Sequence, residues 1–130
     1  MKAYLDLLAQ CHAAGVRQKN RTGIDTFMIP GGMLQFNLAQ GFPILTTKKV
    51  AFGSVVAELL GFIRGVSSAA DFRALGTKIW DANANENEQW LSNERRKGED
   101  DLGRIYGVQW RDWRVGGLAA SSLDQLKQAL

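Results

Sequence analysis

The chain has 130 residues, 45% of them hydrophobic, 22% charged and 9% aromatic, with two prolines. That is material for one domain with a sizeable core rather than a disordered tail. Sixteen basic against thirteen acidic side chains leave a net charge of +3 and a pI near 9.2, which suits an anionic small substrate and is too weak to argue for nucleic acid. One cysteine, Cys11, and one histidine, His12, exclude a Cys/His metal centre and an internal disulfide framework. No apolar run approaches the roughly 20 residues of a membrane span, and the opening residues lack the pattern of a secretory signal. A reducing, cytoplasmic setting is expected.

Tyr4, Leu7, Leu8 and Cys11 recur at helical spacing, predicting an amphipathic helix over 2–14 that Gly15 closes. Cys11 falls on the apolar stripe as a small buried hydrophobe. His12 lies about 100° further round, so the two cannot form a catalytic pair. A polar loop follows at 18–23. Residues 26–29 and 34–38 flank Pro30-Gly31-Gly32, and Leu34, Phe36 and Leu38 alternate with polar residues, predicting a hairpin with one buried face.

Residues 50–63 carry a wide apolar stripe of Phe52, Val55, Val56, Leu59, Leu60 and Ile63. The opposite side has Ala51, Ser54, Ala57, Gly61 and Phe62, and no lysine or arginine. A helix without a charged side is expected to be covered on most sides. Its single ionisable group is Glu58. A carboxylate in such a place either meets a structural cation or has chemistry to do, because desolvating an unpaired charge is expensive.

Ser67-Ser68 caps a short helix over 69–75, with Gly76 after it. Thr77–Trp80 reads as extended. Residues 81–101 hold ten charged side chains and read as a solvated insertion tied lightly by Trp90 and Leu91. Ser122-Leu123-Asp124-Gln125 reads as a capping box opening a last helix. That helix stops after about two turns, short of the ~12–15 residues at which isolated helices become marginal, so the chain reads as cut. There is no P-loop, dinucleotide fingerprint, HExxH or CxxC.

Several blocks together resemble thymidylate synthase. They are the opening helix, Asn20-Arg21-Thr22-Gly23, the run from Gly41-Phe42-Pro43 to Lys48-Lys49, Glu58-Leu59-Leu60-Gly61-Phe62, Ile79-Trp80-Asp81, and the run from Asp101-Leu102-Gly103 to Trp110-Arg111. The likeness covers nearly the whole chain but only the N-terminal half of the family's catalytic domain. It implies an α/β (α+β) fold, a twisted mixed sheet flanked by helices, with residues 1–130 as part of a single domain and an insertion at about 87–100. It implies a homodimer packed sheet against sheet, and reductive methylation of dUMP to dTMP by 5,10-methylenetetrahydrofolate without a metal.

Residue by residue, the resemblance makes Arg21 a grip on the dUMP phosphate, which a guanidinium fork binds bidentately. Lys48 faces the folate's glutamate tail, and Ile79 and Trp80 form the apolar wall for its ring system. Glu58 organises water and shuttles protons during opening of the folate ring, a task for which partial burial would raise its pKa. Tyr106 relays the proton from pyrimidine carbon 5.

Asn83 stands where the family has a second tryptophan, and Gly61 where it carries a bulky residue. The family's nucleophilic cysteine lies outside these residues, and Cys11 is no substitute. The alternatives are a pyrimidine-nucleotide hydroxymethylase of the same superfamily and a non-catalytic fragment. No membrane or specific nucleic-acid partner is expected.

Overall fold

The computed structural model describes residues 1–20, 22–114 and 121–130, in two compact units, Met1–Val50 and Ala51–Leu130. In the first, α1 (Lys2–Ala14) forms where the periodicity places it. Gly15 ends it, its N–H donating to Cys11 O at 2.9 Å. A Cβ at Gly15 would sit 2.9 Å from Phe27 Cβ, so only glycine lets the helix end approach the next sheet this closely. Cys11 is half-buried.

The hairpin expected across Pro30-Gly31-Gly32 does not form. Instead β1 (Val16–Gln18) pairs antiparallel with β2 (Thr26–Met28), Arg17 opposite Phe27, and residues 34–38 contain no strand. The alternation of Leu34, Phe36 and Leu38 is genuine, but it names no partner. Arg17 reaches Asp25 across the loop at 2.7 Å, and Asn20 Oδ1 accepts from both Thr22 N–H (2.9 Å) and Thr22 hydroxyl (2.6 Å). These local bonds close the β1–β2 turn.

The second unit opens with α2 (Phe52–Arg64), stopped by Gly65 at φ 71°. The sequence reading has this helix covered on most sides; among the described residues its large apolar stripe stays open instead. Phe52, Val55, Val56, Leu59, Leu60 and Ile63 remain 40–50% exposed, whereas Ala57 and Gly61 are buried. The reason is steric. The small side of α2 admits α3 (Ala69–Ala74) and α6 (Tyr106–Arg111) at short range. A Cβ at Gly107 would lie 2.7 Å from the Phe62 Cα and carbonyl oxygen, and one at Gly61 would overlap the Phe72 ring. Phe72, fully buried, thus fills the volume left by having glycine at position 61.

Ser68 caps α3 as expected, accepting from Ala70 N–H at 3.2 Å. Thr77–Trp80 is a turn rather than an extended piece: Thr77 N–H returns to Phe72 O (3.0 Å), and the buried Thr77 hydroxyl accepts from Ile79 N–H at 3.4 Å. The polar tract is also more ordered than a solvated loop. It folds into α4 (Asp81–Asn85) and α5 (Glu88–Leu91), with Ala84 fully buried and Asn87 capping α5. Ala69, Phe72, Ala84 and Leu102 form the core, with Phe62, Val66, Trp80 and Ile105 packed against it.

β3 (Trp113–Arg114) pairs antiparallel with β4 (Ser122–Leu123). The residues read as a capping box therefore lie partly in a strand. The cap of α7 (Gln125–Ala129) is Asp124, which accepts from Lys127 N–H at 3.1 Å. The described residues thus combine helices with two small antiparallel sheets, a mixed α/β make-up.

Gly61→Ala should destabilise the full-length protein by about 1–3 kcal/mol, the range for overpacking a core. Adding Phe72→Leu should recover part of that loss, giving a non-additive cycle in urea unfolding. Additive losses would show that the ring and the glycine do not share one space.

Candidate active site

Three elements of the second unit bring four aromatic rings to Phe62. Its ring meets Phe72 of α3 (5.9 Å between centroids), Trp80 at the start of α4 (6.0 Å), and Tyr106 and Trp110 of α6 (5.4 and 5.5 Å), all edge to face. Trp80 also stacks on Phe72 at 5.9 Å and lies 6.1 Å from Tyr106. Edge-to-face and offset contacts are the favourable geometries for aromatic quadrupoles, so the set is attractive as well as apolar.

Glu58 lies one helical turn before Phe62, on the same side of α2. Its side chain is half-buried and has no ion pair among the described residues. The structure therefore brings Trp80 and Tyr106 into one cluster and sets Glu58 on the helix turn beside it. Tyr106 remains 58% exposed and Ile79 47% exposed, so both present surface to solvent. The indole Nε1 of Trp80 is buried and finds no acceptor among the described residues. Lys48 belongs to the first unit and is exposed. Arg21 lies outside the described residues.

A charged clasp adjoins this cluster. Arg73, next to Phe72 on α3, donates from Nη1 to Asp81 Oδ1 (3.0 Å) and Asp100 Oδ1 (3.0 Å), and from Nη2 to Asp100 Oδ2 (2.5 Å). Asn85 adds Nδ2 to Asp100 Oδ1 (2.9 Å) and accepts from Asp100 N–H (3.0 Å). Asp100 is held at φ 62°, a left-handed conformation that a non-glycine residue keeps only when its surroundings impose it. The hydrogen bond from Arg73 foremost, then that from Asn85, holds the Asp100 carboxyl below its ordinary value of 3.8. Asp100 in turn, followed by Asp81, raises the already high pKa of Arg73. No sequence signal marks this group, because its hydrogen-bonded partners lie 8 to 27 residues apart. Phe62, Phe72 and Trp110 were likewise absent from the sequence expectations for the site.

A groove of about 760 Å³ runs past Trp90 between Arg95, Lys97, Arg104 and Arg114. None of the expected site residues lines it. Arg104 is already paired to Asp112 at 2.8 Å, with Arg114 4.0 Å from the same carboxylate, so volume alone is a poor guide to the chemistry here. Among the described residues no group of three or more His, Cys, Asp or Glu is placed to hold a metal ion, and no helix is long and apolar enough to cross a membrane.

The family model for thymidylate synthase matches residues 2–130. A thymidylate synthase of Pseudomonas syringae pv. tomato is 59% identical over 113 residues, covering 87% of this chain and 35% of the relative. One from Bordetella parapertussis matches to the same extent. One from Idiomarina loihiensis is 50% identical over 132 residues, covering the whole chain and 46% of the relative. The chain belongs to the thymidylate synthase family, whose named members are methyltransferase enzymes. It spans between a third and a half of the length of these relatives.

The clasp has a pH signature. Because the Asp100 pKa is depressed in the folded state, its contribution is present above the ordinary carboxylate value and is lost as the pH falls through the folded-state value. Asp100→Asn should lower stability at pH 7, and the gap to wild type should close in urea titrations only as the pH falls below the ordinary carboxylate value. A gap independent of pH would show that the ionised carboxylate is not the source.

Proposed function

We infer that the full-length protein to which this chain belongs carries out the reductive methylation of dUMP to dTMP with 5,10-methylenetetrahydrofolate. The observation that carries the reading is the meeting of Trp80 and Tyr106 at Phe62, one helical turn from a half-buried carboxylate at Glu58. Two blocks matching the family, 26 residues apart in sequence, supply the two rings.

The chemistry needs a flat apolar wall, a proton carrier beside it and an exclusion of water. The Trp80 indole, stacked on Phe72, supplies the wall, and Ile79 extends it towards solvent. The buried Trp80 N–H is a donor suited to a heteroaromatic ring rich in acceptors, since a buried donor left unmatched costs about 1–3 kcal/mol. Glu58 orders water and carries protons while the folate ring opens. It can do so because it is partly withdrawn from water and unspent on any ion pair among the described residues. Tyr106, with its ring in the cluster and more than half its surface exposed, relays the proton leaving pyrimidine carbon 5. A phenol hydroxyl both donates and accepts a hydrogen bond, which suits a relay.

Arg21 grips the nucleotide phosphate, and Lys48 meets the glutamate tail of the folate as a flexible point charge. The covalent nucleophile comes from the remainder of the full-length protein. There the small sheets of this chain join a larger twisted mixed sheet, and two subunits pack sheet against sheet in the cytoplasm.

Full-length protein given dUMP labelled with tritium at carbon 5 and 5,10-methylenetetrahydrofolate should release tritium and form dTMP. No release, or turnover of the cytidine nucleotide instead, would overturn the reading. Glu58→Gln should lower turnover by about 10²–10⁴-fold, the usual worth of a positioned acid–base group, with dUMP affinity nearly unchanged. Equal losses in both would remove its proton-carrying role. Arg21→Ala should weaken dUMP binding in calorimetry by at least about tenfold, as for a lost charge-assisted hydrogen bond; unchanged binding would take Arg21 out of the phosphate site.

A further inference from the structure

Within the polar tract, the stretch 81–100 is fastened at both ends to a single guanidinium. Asp81, its first residue, and Asp100, its last, both receive hydrogen bonds from Arg73, although they lie 19 positions apart in the sequence. The Asp100 side chain is only 17% exposed, and the side chains of Arg73 and Asp81 are about one-third exposed. This is a two-pronged fork at the surface rather than a single-contact ion pair, and such geometry adds direction as well as attraction.

Its position relative to the aromatic cluster gives it a second effect. Consecutive residues of α3 hold consecutive residues at the start of α4: the Phe72 ring stacks on Trp80, and Arg73 pairs with Asp81. The Trp80 carbonyl then accepts from Ala84 N–H at 3.0 Å, seating the indole at the head of α4. The contacts with Phe72, Phe62 and Tyr106 hold the Trp80 ring itself. The adjacent charged bond fixes the backbone from which the indole projects. At the far end, Ala69 N–H donates to Asp100 O (2.9 Å) and Leu102 N–H to Ser67 O (2.9 Å), tying the end of the tract to the start of α3. The left-handed backbone at Asp100 is what aims its carboxylate back to Arg73 while its carbonyl faces Ala69.

We propose that Arg73 is a positioning residue for the Ile79–Trp80 wall, fixing it by pinning both ends of the 81–100 tract to α3. The proposal rests on the functional reading above in taking that wall as the folate-ring surface. The tract, on this account, is part of the construction of the site: the charges at its ends set the angle of the indole, and shortening or loosening it changes co-substrate binding rather than nucleotide binding. Arg73 touches no substrate and takes no part in proton transfer.

Two measurements on the full-length protein test this. In hydrogen–deuterium exchange, Arg73→Ala should speed exchange of the amides of 79–85 while leaving β1 and β2 unchanged. Unaltered exchange at 79–85 would overturn the clasp, whatever the protein's activity. In steady-state kinetics, Arg73→Ala should raise the KM for 5,10-methylenetetrahydrofolate by about tenfold or more, the scale of a displaced positioning group. The Kd for dUMP should stay within about twofold. Arg73→Lys, which keeps the charge but loses the fork, should recover part of the effect. If Arg73→Ala does not fold, Arg73→Lys and the near-isosteric Asp100→Asn carry the same two comparisons. An unchanged folate KM, or equal losses for both substrates, would overturn the positioning role. Absence of turnover in the wild type would overturn the functional reading instead, with the exchange experiment still deciding the clasp.

Discussion

Phe62 can stand at the centre of five aromatic rings only because glycine occupies the positions that would otherwise hold the helices apart. Gly107 allows α6 to run against the Phe62 backbone itself, and Gly61 leaves the space that Phe72 enters from α3. Both approaches are shorter than a Cβ permits, and both converge on one turn of α2. Everything that qualifies as a site in the second unit follows from this. Trp80 is placed by Phe72, Tyr106 by α6, and Glu58 by the turn of helix that precedes Phe62. Five rings in mutual contact around the buried Phe72 restrict one another's rotamers, while Tyr106 keeps more than half its surface exposed.

Apolar packing does not extend evenly through the chain. The fully buried set is small, and in the tract after Trp80 only Ala84 and a few half-buried neighbours join it. There polar bonds take over the ordering: Arg73, Asp81, Asn85 and Asp100 close the base, and Trp90 Nε1 donates to Asp101 O at 2.6 Å. Gly103 lets the Trp90 ring lie directly on the backbone, with a hypothetical Cβ only 2.7 Å from it. A segment with ten charges is thereby given a definite shape without a core of its own.

The helices α1, α2 and α3 were readable from sequence because each carries a local cause: a helical period, a serine that caps Ala70 N–H, a glycine that ends the run. What failed was whatever depends on a partner. Leu34, Phe36 and Leu38 alternate as a strand does, but β2 found Val16–Gln18, a stretch too short and too polar to stand out. The stripe of α2 identified a helix, but one expected to be covered on most sides is buried only through Ala57 and Gly61, because close approach outweighs bulk. α4 and α5 span five and four residues, below the window in which a period can be recognised. Trp80 and Tyr106 were singled out by their likeness to a family, and their contact is a product of the fold alone. Arg73 and Asp100, 27 residues apart, left no trace in any local pattern.

The ring assembly also makes the molecule its own optical gauge. Two of the four tryptophans, Trp80 and Trp110, sit edge-on to Phe62, with Tyr106 beside them. Chromophores locked in asymmetric contact give strong near-ultraviolet circular dichroism, a signal that vanishes when side-chain packing loosens even while helices persist. Trp113, 46% exposed and engaged in β3, senses a different part of the same unit. Loss of the interlocked rings can therefore be followed spectroscopically, without a label, apart from the melting of the backbone.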